Sequence, residues 1–172
     1  DLTVTSEVLA EGMTHGPGGV FPACGTGEFP ALSTREAIDV ARAAVRTVGG
    51  RVPVVGGAGG AVGQAVETAR ALTDAGVDGI LLLPPYLVGG TQEGLRAYVG
   101  AVARATPLPV VVYHRANARF LPETVVRLLT EYPNVVGFKD GIGDVALAQQ
   151  IVLAAAQVRD DVQFFNGLLT AE

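Results

Sequence analysis

The chain keeps returning to short, uniformly apolar, β-branched runs that begin near residues 19, 52, 79, 109, 135 and 162. A strand with one wet face alternates apolar and polar residues. A strand buried on both faces is apolar throughout, the mark of a parallel sheet covered by helices. One such run every ~30 residues, with helical stretches between, is the cadence of βα units. The expected fold is therefore α/β. Two architectures satisfy it: a doubly wound open sheet, or a (β/α)8 barrel. Six units are legible, whereas a complete barrel typically needs ~250 residues and eight strands. Under the barrel reading, residues 1–172 form one domain, an incomplete TIM barrel with about six βα units. No linker or low-complexity tract divides it.

Taken in order, residues 1–13 read as a helix with Val8, Leu9 and Met13 on one side. Gly18 to Cys24 reads as the first strand. Ser33 and Glu36 have capping-box spacing and open a helix through Val48. Val52–Val55 is the second strand, followed by a helix to about Asp74, and Gly79–Leu83 is the third. Thr91 caps the next helix. Strands at Pro109–Tyr113, Val135–Lys139 and Val162–Phe165 follow, separated by helices over 122–132 and 145–158.

Composition excludes several functions. The formal net charge is −5, which argues against a nucleic-acid or anionic-membrane surface. The longest apolar run, Ile80–Leu83, meets Pro84-Pro85 at once, far short of a membrane span. One cysteine, Cys24, allows neither an internal disulfide framework nor a cysteine zinc site, and His15 and His114 lie too far apart for metal-ligand spacing. No metal and no cofactor are expected. No leader segment is seen, so a cytoplasmic enzyme acting on a small molecule is the default expectation.

In both architectures chemistry gathers at the carboxyl ends of the strands. The chain's single lysine, Lys139, ends the fifth run, against eleven arginines elsewhere. An ammonium is costly to bury, and a desolvated lysine can lose its proton and attack a carbonyl as a Schiff-base nucleophile. Tyr113 ends the neighbouring run, with Arg115 beside it as a cation for an acidic ligand. His114 and Asp140 alternate to the opposite face; His114 reads as structural and Asp140 as a weak candidate for a base. Gly25-Thr26-Gly27-Glu28 offers backbone N–H groups and a hydroxyl that can hold a carboxylate. Tyr86 and Asn166 complete the rim. Gly56 to Gly60 misses the dinucleotide spacing, and no Gly-Lys-Ser/Thr follows it.

Together these residues resemble a known family. Gly-Thr-Gly-Glu, then Pro-Tyr with Gln-Glu-Gly-Leu, a strand-end tyrosine and Gly-Phe-Lys-Asp are similar, in order and spacing, to the dihydrodipicolinate synthase / N-acetylneuraminate lyase superfamily. Those are (β/α)8 lyases that form a Schiff base on lysine. The wording of residues 113–118 and 136–144 most resembles its 5-dehydro-4-deoxyglucarate dehydratase branch. The resemblance covers nearly the whole chain and implies that the first strand, the eighth and the C-terminal helices are missing. It implies Lys139 as the Schiff-base lysine, Tyr113 as the acid/base, and Thr26 with its neighbours Gly25, Gly27 and Glu28 as holders of the carboxylate beside the ketone. It also implies a homo-oligomer for the full-length protein.

Three positions depart from the synthase pattern. Gly25 stands where the synthases have a first threonine, Leu87 replaces a second tyrosine, and Ala118 replaces an arginine, with Arg115 and Arg119 nearby instead. These suit a sugar-acid dehydratase. That reading is dehydration and decarboxylation of 5-dehydro-4-deoxyglucarate to 2,5-dioxopentanoate, a step of glucarate catabolism, with Arg115 as clamp for the distal carboxylate. The alternatives are an aldolase of the same superfamily that releases pyruvate from a 2-keto-3-deoxy sugar acid, and a non-catalytic α/β domain that binds a phosphorylated ligand through Gly56 to Gly60.

Overall fold

A computed structural model describes residues 1–85, 89–115 and 117–168. Helix α1 (Leu2–Gly12) and α2 (Thr34–Val48) precede a regular alternation: β1 (Val55–Ala58), α3 (Val62–Ala75), β2 (Gly79–Leu82), α4 (Gln92–Ala103), β3 (Val110–His114), α5 (Pro122–Glu131), β4 (Val135–Asp140), α6 (Val145–Ala156) and β5 (Gln163–Asn166). All neighbouring strands are parallel, in the order β1-β2-β3-β4-β5.

That order separates the two architectures. A doubly wound sheet reverses its strand order at a switch point, whereas here space follows sequence. The core has two parts with unequal partners. The larger contains Ile38, Leu72, Val99, Leu128 and Ile151 from five helices, packed on Ile80, Val112 and Phe138 of the sheet. The smaller, Cys24, Leu81, Leu83, Val111 and Tyr113, takes nothing from α1 to α6; Phe29 of a short 3-10 turn packs against it. Helices thus cover one face, and the other is a lumen filled by strand side chains, as in an arc of a barrel.

Local signals hold where they rest on hydrogen-bond chemistry. Ser33 Oγ accepts from the Glu36 N–H at 3.3 Å while the Glu36 carboxylate accepts from the Ser33 N–H at 2.9 Å, closing the capping box. Thr91 Oγ1 accepts from the Gly94 N–H. The first helix differs in its facing: Leu9 and Met13 pack on the core, but Val8 is 63% exposed.

The expected first strand does not form. Val20 makes one bridge to Val54, accepting from the Val55 N–H at 2.8 Å. Then Pro22, which has no N–H to continue a ladder, is followed by Ala23 at φ 49°, and the chain turns away. Among the described residues the sheet has five strands where six were expected. The second expected strand sits three residues later, at Val55–Ala58, because glycines that looked like a loop are strand residues in tight quarters. A Cβ at Gly56 would lie 2.5 Å from Leu72 Cδ2, and one at Gly57 2.6 Å from the Ala23 carbonyl oxygen. Packing, and not a phosphate, explains that glycine run.

Candidate active site at the strand carboxyl ends

Tyr113 and Lys139 are register partners on β3 and β4, so their side chains leave the same face of the sheet side by side. This is the lumen face. Tyr113 is buried at 6% exposure against Cys24, Leu81, Leu83 and Val111. Lys139 is half-buried, its Nζ 5.0 Å from the centroid of the Tyr113 ring. No carboxylate pairs with that ammonium among the described residues. An amine that ends a buried strand, stays accessible and has no counter-ion is free to meet a ligand's carbonyl.

Arg115 also comes to this phenol. Its Nη1 donates to Tyr113 Oη at 3.3 Å, and its guanidinium carbon lies 5.5 Å from the ring centroid. The phenol oxygen accepts there, which leaves its own O–H free to point at a ligand. Arg115 is held by a tight turn in which its N–H and that of Ala118 bond reciprocally to each other's carbonyls. Asn117 Nδ2 ties the turn to the Pro85 carbonyl at 2.6 Å. Gln92 secures the segment beyond: its Nε2 donates to the Arg119 carbonyl, and its Oε1 accepts from the Leu121 N–H and the Thr124 hydroxyl. One carboxamide at the start of α4 thus joins two βα units. Arg119 pairs with Asp144 at 2.5 Å and is not part of the mouth.

The Gly25–Glu28 turn approaches through Cys24. The Phe29 N–H closes it on the Cys24 carbonyl, and the Glu28 N–H bonds the Gly25 carbonyl. Ala23 and Glu28, both non-glycine, hold positive φ at 49° and 59° on either side. Such conformations are costly, and they persist where the surroundings impose them. Gly25, Thr26, Gly27 and Glu28 are exposed, and Gly25 shares a cavity with Arg115. Cys24 itself lies buried beneath them. Burial pushes its thiol up to about 12, opposed in part by the Lys139 charge, so it is an inert floor residue and not a nucleophile.

Two glycines make room for the pair. A Cβ at Gly141 would sit 2.6 Å from Tyr113 Cε2, and one at Gly167 would sit 3.0 Å from Lys139 Cε and 2.4 Å from the Asp140 carbonyl oxygen. The only sequence signal for this constraint is a glycine directly after each strand end.

A cavity of about 560 Å³ opens at the loop that carries Arg115, lined by Gly25, Phe29, Gln64, Leu83, Pro85 and Arg115 among others; Tyr113 and Lys139 do not line it. Four successive loops build it, so pattern reading along the chain could not assemble it.

The outer face of the same strand ends is occupied otherwise. His114 Nδ1 accepts from the Phe120 N–H at 3.1 Å. Burial lowers its pKa against the opposing charge of Asp140, so His114 is a neutral structural residue. The Asp140 carboxylate accepts from the N–H groups of Ile142 and Gly143. Asn166 is the register partner of Asp140 and shares this face. It is not brought to the lysine: with His114 and Asp140 it borders a second cavity, outside the lumen, and its Oδ1 accepts from the Leu168 N–H. Strand alternation excludes it from the mouth. Tyr86 and Leu87 lie outside the described residues.

Among the described residues no cluster of histidine, cysteine, aspartate or glutamate could hold a metal ion, and no helix is long and apolar enough to cross a membrane.

The sequence model of the Dihydrodipicolinate synthetase family matches residues 2–171. A probable 5-dehydro-4-deoxyglucarate dehydratase of Methylobacterium radiotolerans is 51% identical over 172 residues, covering 100% of this chain and 56% of the relative. A probable 5-dehydro-4-deoxyglucarate dehydratase 1 of Streptomyces coelicolor is 49% identical over 174 residues, covering 100% of this chain and 55% of the relative. Among solved structures, a dihydrodipicolinate synthase superposes with a TM-score of 0.89 at 31% identity, over 97% of this chain and 58% of that one. The chain spans about half the length of the curated relatives it matches.

Proposed function

The chain belongs to the dihydrodipicolinate synthetase family, and from that premise we propose that it carries the lysine half of a Schiff-base lyase that dehydrates and decarboxylates 5-dehydro-4-deoxyglucarate. The observation that carries the reading is the in-register pair: an unpaired Lys139 ammonium 5.0 Å from the Tyr113 ring, in a lumen that shields it. The names of the relatives support the substrate.

Lys139 Nζ attacks the C5 ketone, and loss of water gives an iminium. Thr26 and the backbone of its turn hold the C6 carboxylate. Tyr113, its O–H turned to the site, shuttles protons during imine formation and takes one from C4, which the iminium has acidified. Hydroxide leaves C3 and is protonated to water. The conjugated iminium then accepts the electrons of the C1–C2 bond and carbon dioxide departs. Reprotonation at C4, tautomerisation of the C2 enol and hydrolysis of the imine release 2,5-dioxopentanoate and restore the lysine. Overall the substrate dianion and one proton yield the product anion, carbon dioxide and water. Lysine is the electron sink for both eliminations. Arg115, at the rim, draws the dianion in. The complete protein acts in the cytoplasm as a homo-oligomer on a dissolved sugar acid.

Borohydride added with substrate to the complete protein traps a mass adduct on Lys139, and Lys139→Arg abolishes it. An adduct that survives Lys139→Arg refutes the assignment. Pyruvate in place of carbon dioxide identifies the aldolase reading instead.

A further inference from the structure

We propose that Arg115 is a positioning residue for the chemical step: by donating to the Tyr113 phenol it holds the charge that this oxygen carries between two proton transfers. This rests on the Schiff-base reading above. It gives the guanidinium a part in the reaction beyond drawing a dianion to the rim.

Two residues beyond Tyr113, Arg115 continues the face of β3 that carries the phenol. Among the described residues it is the one hydrogen-bonding partner of the Tyr113 hydroxyl, Nη1 to Oη at 3.3 Å. The ring has a second cation beside it: the guanidinium carbon lies 5.5 Å and Lys139 Nζ 5.0 Å from its centroid. Among the described residues no carboxylate pairs with either cation, whereas the nearby Arg119 is taken by Asp144. The backbone that delivers Arg115 is held at three points. Arg115 and Ala118 exchange N–H bonds, Asn117 Nδ2 donates to the Pro85 carbonyl at 2.6 Å, and the Gly90 N–H donates to the Asn117 carbonyl at 3.4 Å. A turn fixed in this way spares part of the freedom that a long side chain loses on reaching one partner.

A phenol cannot take a proton from carbon while it keeps its own. During imine formation the Tyr113 proton goes to the hydroxyl that leaves the carbinolamine as water. The phenolate left behind takes the C4 proton, and the C4–H bonding pair forms C4=C5 while the iminium nitrogen accepts the C=N pair. One proton leaves the oxygen and one returns, so no outside base is needed. Phenols give up a proton reluctantly near neutral pH, so such a base is limited by how often its anion forms. The Arg115 N–H meets a neutral acceptor at rest and a charged one in that interval. A hydrogen bond of this kind strengthens as the charge develops. It therefore favours the reacting state over the resting one, which is the condition for acceleration. Lys139 loses its positive charge as the enamine forms, whereas Arg115 stays cationic throughout.

The rim role and this one separate on 2-oxobutanoate, which keeps the ketone, its carboxylate and the carbon to be deprotonated but has no far carboxylate to clamp or steer. In deuterium oxide the complete protein exchanges the C3 protons of this probe through the Lys139 imine, and proton NMR gives the rate at saturation. Arg115→Met lowers that rate about tenfold or more while borohydride traps the parent's extent of adduct on Lys139, and Arg115→Lys recovers part of the rate. The loss falls below the ~10²–10³-fold of an enclosed oxyanion donor because Arg115 is exposed and water screens it. In a Tyr113→Phe background, Arg115→Met changes the residual rate by less than about twofold. Arg115→Gln stands in should Arg115→Met fail to fold. Three results overturn the inference while the Lys139 adduct preserves the underlying reading: exchange in Arg115→Met within about twofold of the parent, an equal loss in the Tyr113→Phe background, or a parent that forms the adduct and exchanges nothing. A parent that forms no adduct overturns the reading itself.

Discussion

Gly141→Ala tests whether the position of the Tyr113 phenol governs the chemistry. The added Cβ would lie 2.6 Å from Tyr113 Cε2 and 3.1 Å from both Cζ and Oη. Ordinary contact between carbons begins near ~3.5 Å, so the ring must retreat by about 0.9 Å. Tyr113 is packed among Leu81, Leu83, Val111 and Cys24, and its hydroxyl is displaced with the ring. A shift of ~1 Å in a positioned group is worth about 10²-fold in rate, or ~2.7 kcal/mol of barrier. Overpacking also costs about 1–3 kcal/mol of stability, so a thermal melt accompanies the kinetics. The assay is kcat in the complete protein for Gly141→Ala, Tyr113→Phe and the pair. Removing the phenol proton costs about 10²–10⁴-fold. If Gly141 matters through that phenol, the double variant is hardly slower than Tyr113→Phe alone. A Gly141→Ala enzyme within about threefold of the parent, or full additivity in the pair, refutes the reasoning.

Two further outcomes follow from the same geometry. Cys24, buried and with its thiol pushed up to about 12, stays unmodified by iodoacetamide in the folded protein and is alkylated fully in denaturant; mass spectrometry showing rapid native labelling would contradict its place beneath the turn. His114, its pKa lowered by burial in the face of Asp140 and Asp144, binds its proton more readily in the unfolded chain. Its contribution to stability is complete above the ordinary value of about 6.5 and is lost as pH falls through the window below it, at up to ~1.4 kcal/mol per pH unit. Urea midpoints followed into that acid window fall less steeply for His114→Gln than for the parent, and equal slopes would show that the histidine is not buried neutral.

The candidate site was legible where it depended on what lies next in the chain. Lys139 and Tyr113 both end apolar runs one βα unit apart, and strand alternation alone put His114 and Asp140 on the far side. Asn166 shows the limit of that logic. It also ends an apolar strand, but register, which pairs it with Asp140 and not with Lys139, decides which face it shares. Gly56 and Gly57 show another. Glycine reads as punctuation, and the reason for it here, Leu72 on one side and Ala23 on the other, lies in other segments.

The sequence by itself determined the βα cadence, the helix caps and the lysine at a strand end, because each arises from hydrophobic period or from hydrogen bonds within a few residues. Only the tertiary structure decided that the sheet is singly wound with five strands and that Val20 makes a bridge and no more. It alone brought the Gly25 turn, Leu83 with the prolines, and the Arg115 turn around one cavity. Those outcomes depend on which surfaces meet when the sheet curls and the helices cover one side. Such meetings are settled by packing between residues tens of positions apart, for which a local pattern carries no signal.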